Sequence, residues 1–183
     1  MEFAITISGL HGTGKSTYAR NIAESFALKH VSIGELFRQI ALERKLSITD
    51  LSREAEKDSV IDRLLDDRTK DEIRKGNVVI DSLLAGWFAQ GCNAVKIYLS
   101  TPYKTRIDRI ACRDRISYAE AETFTSLREQ IERRRFKRLY DIDIDNLSIY
   151  DLILNTDLMP KELNIEVIKC FIEGYMKSHG VNK

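Results

Sequence analysis

The chain has almost no surplus charge of either sign. Its 183 residues carry 29 Lys and Arg against 28 Asp and Glu, a formal net charge of +1. No overall field would therefore draw it to nucleic acid or to an acidic membrane, and any anion it binds must be captured locally. Cysteine is equally scarce. Cys92, Cys112 and Cys170 are odd in number and far apart, which excludes a disulfide framework and a Cys-based metal site and suits reduced thiols in a cytoplasmic protein. No apolar run approaches about 18 residues, so no membrane span is expected. The opening MEFAITISGL lacks a basic region and reads as a first strand, not a secretory signal. Repeats, low-complexity tracts and linkers are also missing, and the length suits one domain over residues 1–183.

Hydrophobic residues are plentiful enough, at 43%, to build a core. Five short apolar runs read as strands, at 3–8, 30–33, 77–82, 94–100 and 151–155. They alternate little, as strands buried on both faces do. Between them lie helical patterns. Ala19, Ile22, Ala23 and Phe26 share one helix face, as do Tyr103, Ile107, Ile110 and Ala111. Thr101 and Pro102 suit N-cap and first-turn positions. A last helix over 161–177 is apolar through Leu163, Val167, Ile168, Phe171 and Ile172. Strand alternating with helix predicts a three-layer α/β/α fold around a parallel sheet. Two regions exceed the rhythm: 34–75, with two or three helices, and 114–146, polar, arginine-rich and opened by the capping box Ser117–Glu120. They divide the chain into a core (1–33, 76–113, 147–183), an insertion (34–75) and a lid (114–146), and such excursions cover a ligand or merely decorate the rim.

Behind the first strand stands Gly9-Leu10-His11-Gly12-Thr13-Gly14-Lys15-Ser16, followed by Thr17, a full match to the phosphate-loop pattern G-x-x-x-x-G-K-[ST]. Glycines let successive N–H groups converge on an anion, and the helix N-terminus adds partial positive charge. Lys15 would reach the β- and γ-phosphates of ATP, and Ser16 would ligate Mg²⁺. Asp81, at the end of NVVID, stands where a second magnesium-directed carboxylate belongs, the plain alternative being a turn aspartate. His11 reads as filler near the phosphates rather than as a catalyst. In HVSIGELFR, Arg38 would turn back toward the strand end where an acceptor phosphate could take its fork. Arg113, Arg115, Arg128 and the run ERRRFKR supply cations for a closing lid, with Arg128 and Arg135 on one helical face. A solvated helix face is the alternative for each. The DIDID stretch, Asp141 to Asp145, is not a calcium loop: Asn146 and Leu152 stand where Gly and Glu are needed.

The phosphate loop, KHVSIGELFR, VIDR, NVVID, LAGW, the arginine-rich lid and YDIDIDNLSIYDLILNT resemble the archaeal type of cytidylate kinase over roughly residues 3–175. That resemblance implies the P-loop nucleoside monophosphate kinase fold with strand order 2-3-1-4-5, and transfer from ATP, with Mg²⁺, to CMP or dCMP. It implies that Ser32, Gly34 and Arg38 hold the acceptor phosphate, that Ala85 and Gly86 face its base, and that Asn155 and Thr156 lie near the donor's adenine. Arg113, Arg128 and Arg134 or Arg135 would act from the lid as catalytic cations with Lys15. Asp62 would accept from an exocyclic base amine, or stand solvated on its helix. Two places depart from the family's pattern. Ser82-Leu83 replaces a Gly-Arg pair, which would withdraw a charge-assisted contact of about 1.5–3 kcal/mol if that arginine grips the acceptor. Lys15 is kept where the family often has none. The expected protein is a monomer working on nucleotides, without nucleic acid or membrane. The rivals are an adenylate kinase-like or other small-molecule kinase and a nucleotide-binding regulator or assembly factor.

Overall fold

Every residue of β1 (Ala4–Ser8) is buried, which makes it the centre of the sheet. The computed structural model describes residues 3–181. Around β1 run β2 (Lys29–Ser32), β3 (Val78–Asp81), β4 (Ala94–Ser100) and β5 (Leu152–Asn155) in the order β2-β3-β1-β4-β5. All pairings are parallel, and the register sets Ile7 opposite both Asp81 and Ile97. The expected strand runs are all present, most trimmed by a residue. The run expected at 30–33 is shifted to 29–32 because Ile33 already opens the next helix.

The two faces of the sheet carry separate cores. Ile5, Ile7, Val79, Ile97 and Leu99 pack against α1 (Lys15–Phe26) and α8 (Lys161–Ser178). Ala4, Val78 and Ile80 pack against α2 (Ile33–Glu43), α3 (Ile48–Lys57), α4 (Val60–Lys75) and the short α5 (Ala85–Phe88). Alternate strand residues feeding opposite helical layers explain why the strands show no polar face. Within α8 the apolar arc is narrower than expected: Ile168 and Ile172 are fully buried, whereas Leu163 and Val167 are exposed.

Ser32 and Ser47 cap α2 and α3, accepting from Glu35 N and Asp50 N. After β4, α6 (Tyr103–Asp114) begins one residue later than expected, with Pro102 as its N-cap. The Thr101 hydroxyl does not cap it; it donates to Ser100 O at 2.7 Å. Residues 114–146 are dominated by one helix, α7 (Tyr118–Tyr140), whose capping box Ser117–Glu120 is complete. It lies against α3 and α6. Its inward face mixes charged and uncharged groups, with Glu129, Glu132 and Arg135 buried beside Ala121, Thr125, Ile131 and Phe136. Arg115 and Asp141, on either side of α7, both adopt left-handed backbone at φ 56° and 55°.

Candidate active site

The loop between β1 and α1 runs over the C-terminal end of the central strand, where a doubly wound sheet opens its ligand crevice. Two glycines there have no substitute. Gly12, at φ +82°, lies so close to α6 that an added Cβ would stand 2.5 Å from Arg106 O. Gly9, at φ +147°, would drive its Cβ into Leu99 O. The loop is thus seated on β4 and α6, and Thr13 Oγ1 donates to Leu10 O at 2.8 Å. Gly14, also left-handed, delivers the chain into α1.

Lys15 crosses this cradle to donate from Nζ to Leu10 O at 3.0 Å. Burial pushes its ammonium down to about 8, against the pull of Asp81 and Glu132. Beside it the Ser16 hydroxyl donates to Asp81 Oδ1 at 3.0 Å. Ser32 Oγ donates to the same oxygen at 3.1 Å, and His30 Nε2 meets Oδ2 at 2.7 Å. Asp81 is thus a fixed carboxylate at the end of β3, not a loose turn residue. His30, which the sequence reading did not single out, fixes its second oxygen.

A cavity of about 510 Å³ opens between this loop and the helices of the insertion. His11, Gly12, Gly14, Lys15, Ser16, Thr17 and Asp81 form one wall, and Gly34, Arg38, Asp62 and Asp66 line the other. Arg109, Arg113, Arg128 and Arg135 come from α6 and α7. Among the described residues Arg38 has no hydrogen-bond or ion-pair partner, so its guanidinium is free for a ligand. Arg113 is clamped by Asp114 through Nε and Nη2 at 2.7 and 2.8 Å. Arg128 gives Nε to Glu132 Oε1 at 2.9 Å and lays its guanidinium over Phe37, 5.4 Å from the ring centre. Arg135 is 3% exposed; its Nε lies 3.1 Å from Asp62 Oδ2 and its Nη1 donates to Ser52 O at 3.2 Å.

Acid groups enter the cavity from the same helices. Burial raises the Asp62 carboxyl above its ordinary value and pushes Asp66 up to about 6, although Tyr140 donates its hydroxyl to Asp66. Glu132 behaves oppositely. Burial would raise it, but the His11 hydrogen bond at 2.7 Å and the Arg128 guanidinium outweigh that and hold it far below the usual carboxylate range. Burial and Arg128 keep His11 below its ordinary value, and because the Glu132 carboxylate can only accept, the bond between them runs from Nε2–H to Oε2.

Several expected site residues lie elsewhere. Ser32 is buried behind Asp81 and does not line the cavity, its hydroxyl being taken by the helix cap and by Asp81. Ala85 is fully buried and Gly86 buried in α5; Gly86 packs against the Tyr150 ring and its N–H donates to Ser8 Oγ at 3.2 Å. Ser82, Leu83 and Leu84 line the cavity at that point instead. Leu83 packs, like Leu10 and Trp87, against the cluster of Leu84, Phe136, Ile142 and Ile144, so apolar side chains stand where the resemblance implies an arginine. Thr156 lies 3% exposed beneath the phosphate loop, 2.8 Å from Thr101 Oγ1, and Asn155 Oδ1 accepts from Asp157 N at 3.0 Å. Arg134 points outward to Glu56 at 3.3 Å. Arg109, Arg106, Asp66 and Glu132 were missed. Arg106, Arg109 and Arg113 recur at helical spacing along one side of α6, and that periodicity was the available signal.

The oxygen set around Ser16 and Asp81 suits a hard cation. No cluster of three or more His, Cys, Asp or Glu that could hold a metal exists among the described residues. No helix of the described residues is long and apolar enough to cross a membrane.

Known proteins share both the sequence and the fold. The chain is 44% identical over 173 residues to a cytidylate kinase of Staphylothermus marinus, covering 94% of this chain and 98% of that one. It is 41% identical over 172 residues to a cytidylate kinase of Pyrococcus horikoshii, covering 94% and 89%. Among solved structures, a shikimate kinase from Bacteroides thetaiotaomicron superposes with a TM-score of 0.63 at 14% identity over 96% of this chain and 98% of that one. One from Aquifex aeolicus gives 0.56 at 19% over 94% and 97%. At such identities these two speak for the P-loop kinase fold alone. The cytidylate kinase-like family model matches residues 4–158, and with a phosphate loop, a fixed carboxylate and an arginine-lined cavity in one crevice, the chain belongs to that family.

Proposed function

We propose that the protein transfers the terminal phosphoryl group of ATP to CMP and to dCMP. The observation that carries this reading is that a single cavity is lined both by the anion cradle with Lys15 and by Arg38, Arg113 and Arg128. In phosphoryl transfer the protein chiefly positions two phosphates in line and spreads cations around the migrating group. The loop amides and Lys15 would hold the donor's β- and γ-phosphates, and Arg38, beside Gly34, would take the acceptor's phosphate. Arg128, Arg113 and Arg109 would surround the group in flight. Ser16 and Asp81 would hold Mg²⁺, which neutralises charge on the donor phosphates when bound. The acceptor phosphate oxygen is already anionic, so no general base is required.

The far end of the cavity supplies the base preference. Asp62 is a buried carboxylate able to accept from an exocyclic amine, and Arg135 beside it donates to ring acceptors. Cytosine offers that donor and those acceptors on one edge, whereas uracil presents a carbonyl where the amine should be. Residues 34–75 and 114–146 thereby act as acceptor insertion and lid on the core.

A coupled assay of ADP formation with CMP, dCMP, UMP and AMP tests the reading. The expected order is CMP and dCMP well above UMP and AMP. Equal, negligible turnover on all four overturns it.

A further inference from the structure

Glu132 is a carboxylate on the lid helix that faces inward among groups meant for phosphate. It is 4% exposed and lines the cavity beside Lys15. An acid there repels an incoming polyphosphate unless its charge is committed to something else. It is committed on both oxygens: Oε1 takes Arg128 Nε at 2.9 Å and Oε2 takes His11 Nε2 at 2.7 Å. His11 belongs to the phosphate loop, and its backbone is held in turn by Arg106 Nη1, which donates to His11 O at 2.8 Å. The Arg128 guanidinium is pinned at Nε and stacked on Phe37, while among the described residues its terminal nitrogens have no partner. An arginine fixed in this way presents a fork of preset direction, and less side-chain freedom is lost when it meets an anion.

We propose that Glu132, braced by His11, is the positioning residue for Arg128. It ties the aim of the lid's phosphate-directed arginine to the phosphate loop itself. The pair does not touch the reacting atoms; it acts through the guanidinium it holds. The His11 ring faces Glu132 and Arg128 from α7 and Lys15 from α1, with Arg106 of α6 on its carbonyl. His11 is therefore part of the lid's seat and not a filler of a variable loop position.

The inference rests on the kinase reading, and two measurements separate their failures. In steady-state kinetics, His11→Ala and Glu132→Gln are expected to lower kcat by about tenfold or more, with KM for ATP changed less than about twofold. His11→Gln, whose amide nitrogen reaches the same place as Nε2, is expected to stay within about threefold of the unsubstituted protein. Arg128→Ala lowers kcat further, and adding His11→Ala to it changes kcat less than about twofold, because nothing remains to be aimed. Multiplying effects of His11→Ala and Arg128→Ala, or a loss confined to KM for ATP, overturns the proposal.

The second measurement needs no turnover. The protein has three histidines, so the ring-proton shifts of His11 can be followed by NMR through a pH titration of the nucleotide-free protein. Arg128→Gln removes a positive neighbour and releases Glu132 to His11, so the His11 midpoint should rise; Glu132→Gln should lower it. A His11 midpoint indifferent to both substitutions overturns the proposal. If no nucleoside monophosphate is phosphorylated by the unsubstituted protein, the kinase reading falls and the titration alone decides the relay.

Discussion

The Nε of Arg135 lies 3.1 Å from Oδ2 of Asp62, both deep in the cavity wall, yet neither atom makes a hydrogen bond with any group among the described residues. Their charges face each other at an angle that leaves hydrogen-bonding capacity unspent, which is costly for buried groups unless something else completes it.

Replacing Arg135 should therefore differ sharply from replacing its neighbour. Arg135→Ala strands a buried carboxylate, and urea denaturation should show a loss of about 3 kcal/mol, accompanied by a raised KM for CMP. Arg134→Ala removes a half-exposed pair with Glu56, which should cost under about 1 kcal/mol and leave kcat/KM for CMP within about twofold. Equal behaviour of the two variants would remove Arg135 from the acceptor site.

Lys15 gives a pH dependence of definite sign. Its ammonium is held down at about 8 by burial, and the charged form is the one that grips phosphate. Nucleotide affinity should thus be flat below that value and fall above it, approaching about tenfold per pH unit. Isothermal titration with ADP across this range checks it. Lys15→Arg, always charged, should bind with no such slope.

Gly12→Ala tests how firmly the phosphate loop is seated. The added methyl meets Arg106 O at 2.5 Å in a backbone conformation L-residues avoid, so the loop must lift from α6. A stability loss of about 2–3 kcal/mol is expected, together with an ADP affinity at least about tenfold weaker. Unchanged affinity would mean that the loop's contact with α6 does not shape the cradle.

Asp66 ionises reluctantly, at about 6 against an ordinary 3.8, mainly through burial. A carboxyl raised in the folded state binds protons more tightly there than when unfolded. Its contribution is therefore complete at pH below about 4 and lost as pH climbs through 6. Asp66→Asn still accepts from Tyr140 and never ionises. Its melting temperature relative to the parent should rise from pH 4 to about 6.5 and then level off. A difference independent of pH would contradict the burial of that group.

The core was legible because buried parallel strands announce themselves. In VVID and AVKIYLS nearly every side chain is apolar, and the phosphate loop can be recognised residue by residue. Lid orientation was hidden for a physical reason. The inward face of α7 is built from Glu129, Glu132 and Arg135 beside its apolar residues, and paired charges in a core look like solvated charges in a string of letters. Glu129 and Glu132 are the groups that dock the helix: Glu129 meets Arg106 Nη1 at 2.6 Å and Glu132 meets His11. Ser32, Ala85 and Gly86 were assigned to the acceptor from a family pattern. Their neighbours in space, Asp81 and Tyr150, are distant in sequence, so nothing local could reveal that they support the wall from behind.

The helix α7 is a rod of 23 residues, about 35 Å long at the rise of an α-helix, bounded by two left-handed bends at Arg115 and Asp141. Arg128 sits near its midpoint, roughly 15 Å from the first bend by the same rise. A lever of that length turns a ten-degree pivot into about 2.6 Å of travel at the guanidinium, more than the slack of any hydrogen bond. The buried pairs Glu129–Arg106, Glu132–His11 and Arg135–Asp62 therefore have to set the tilt of α7 closely for the Arg128 guanidinium to meet an anion in the crevice.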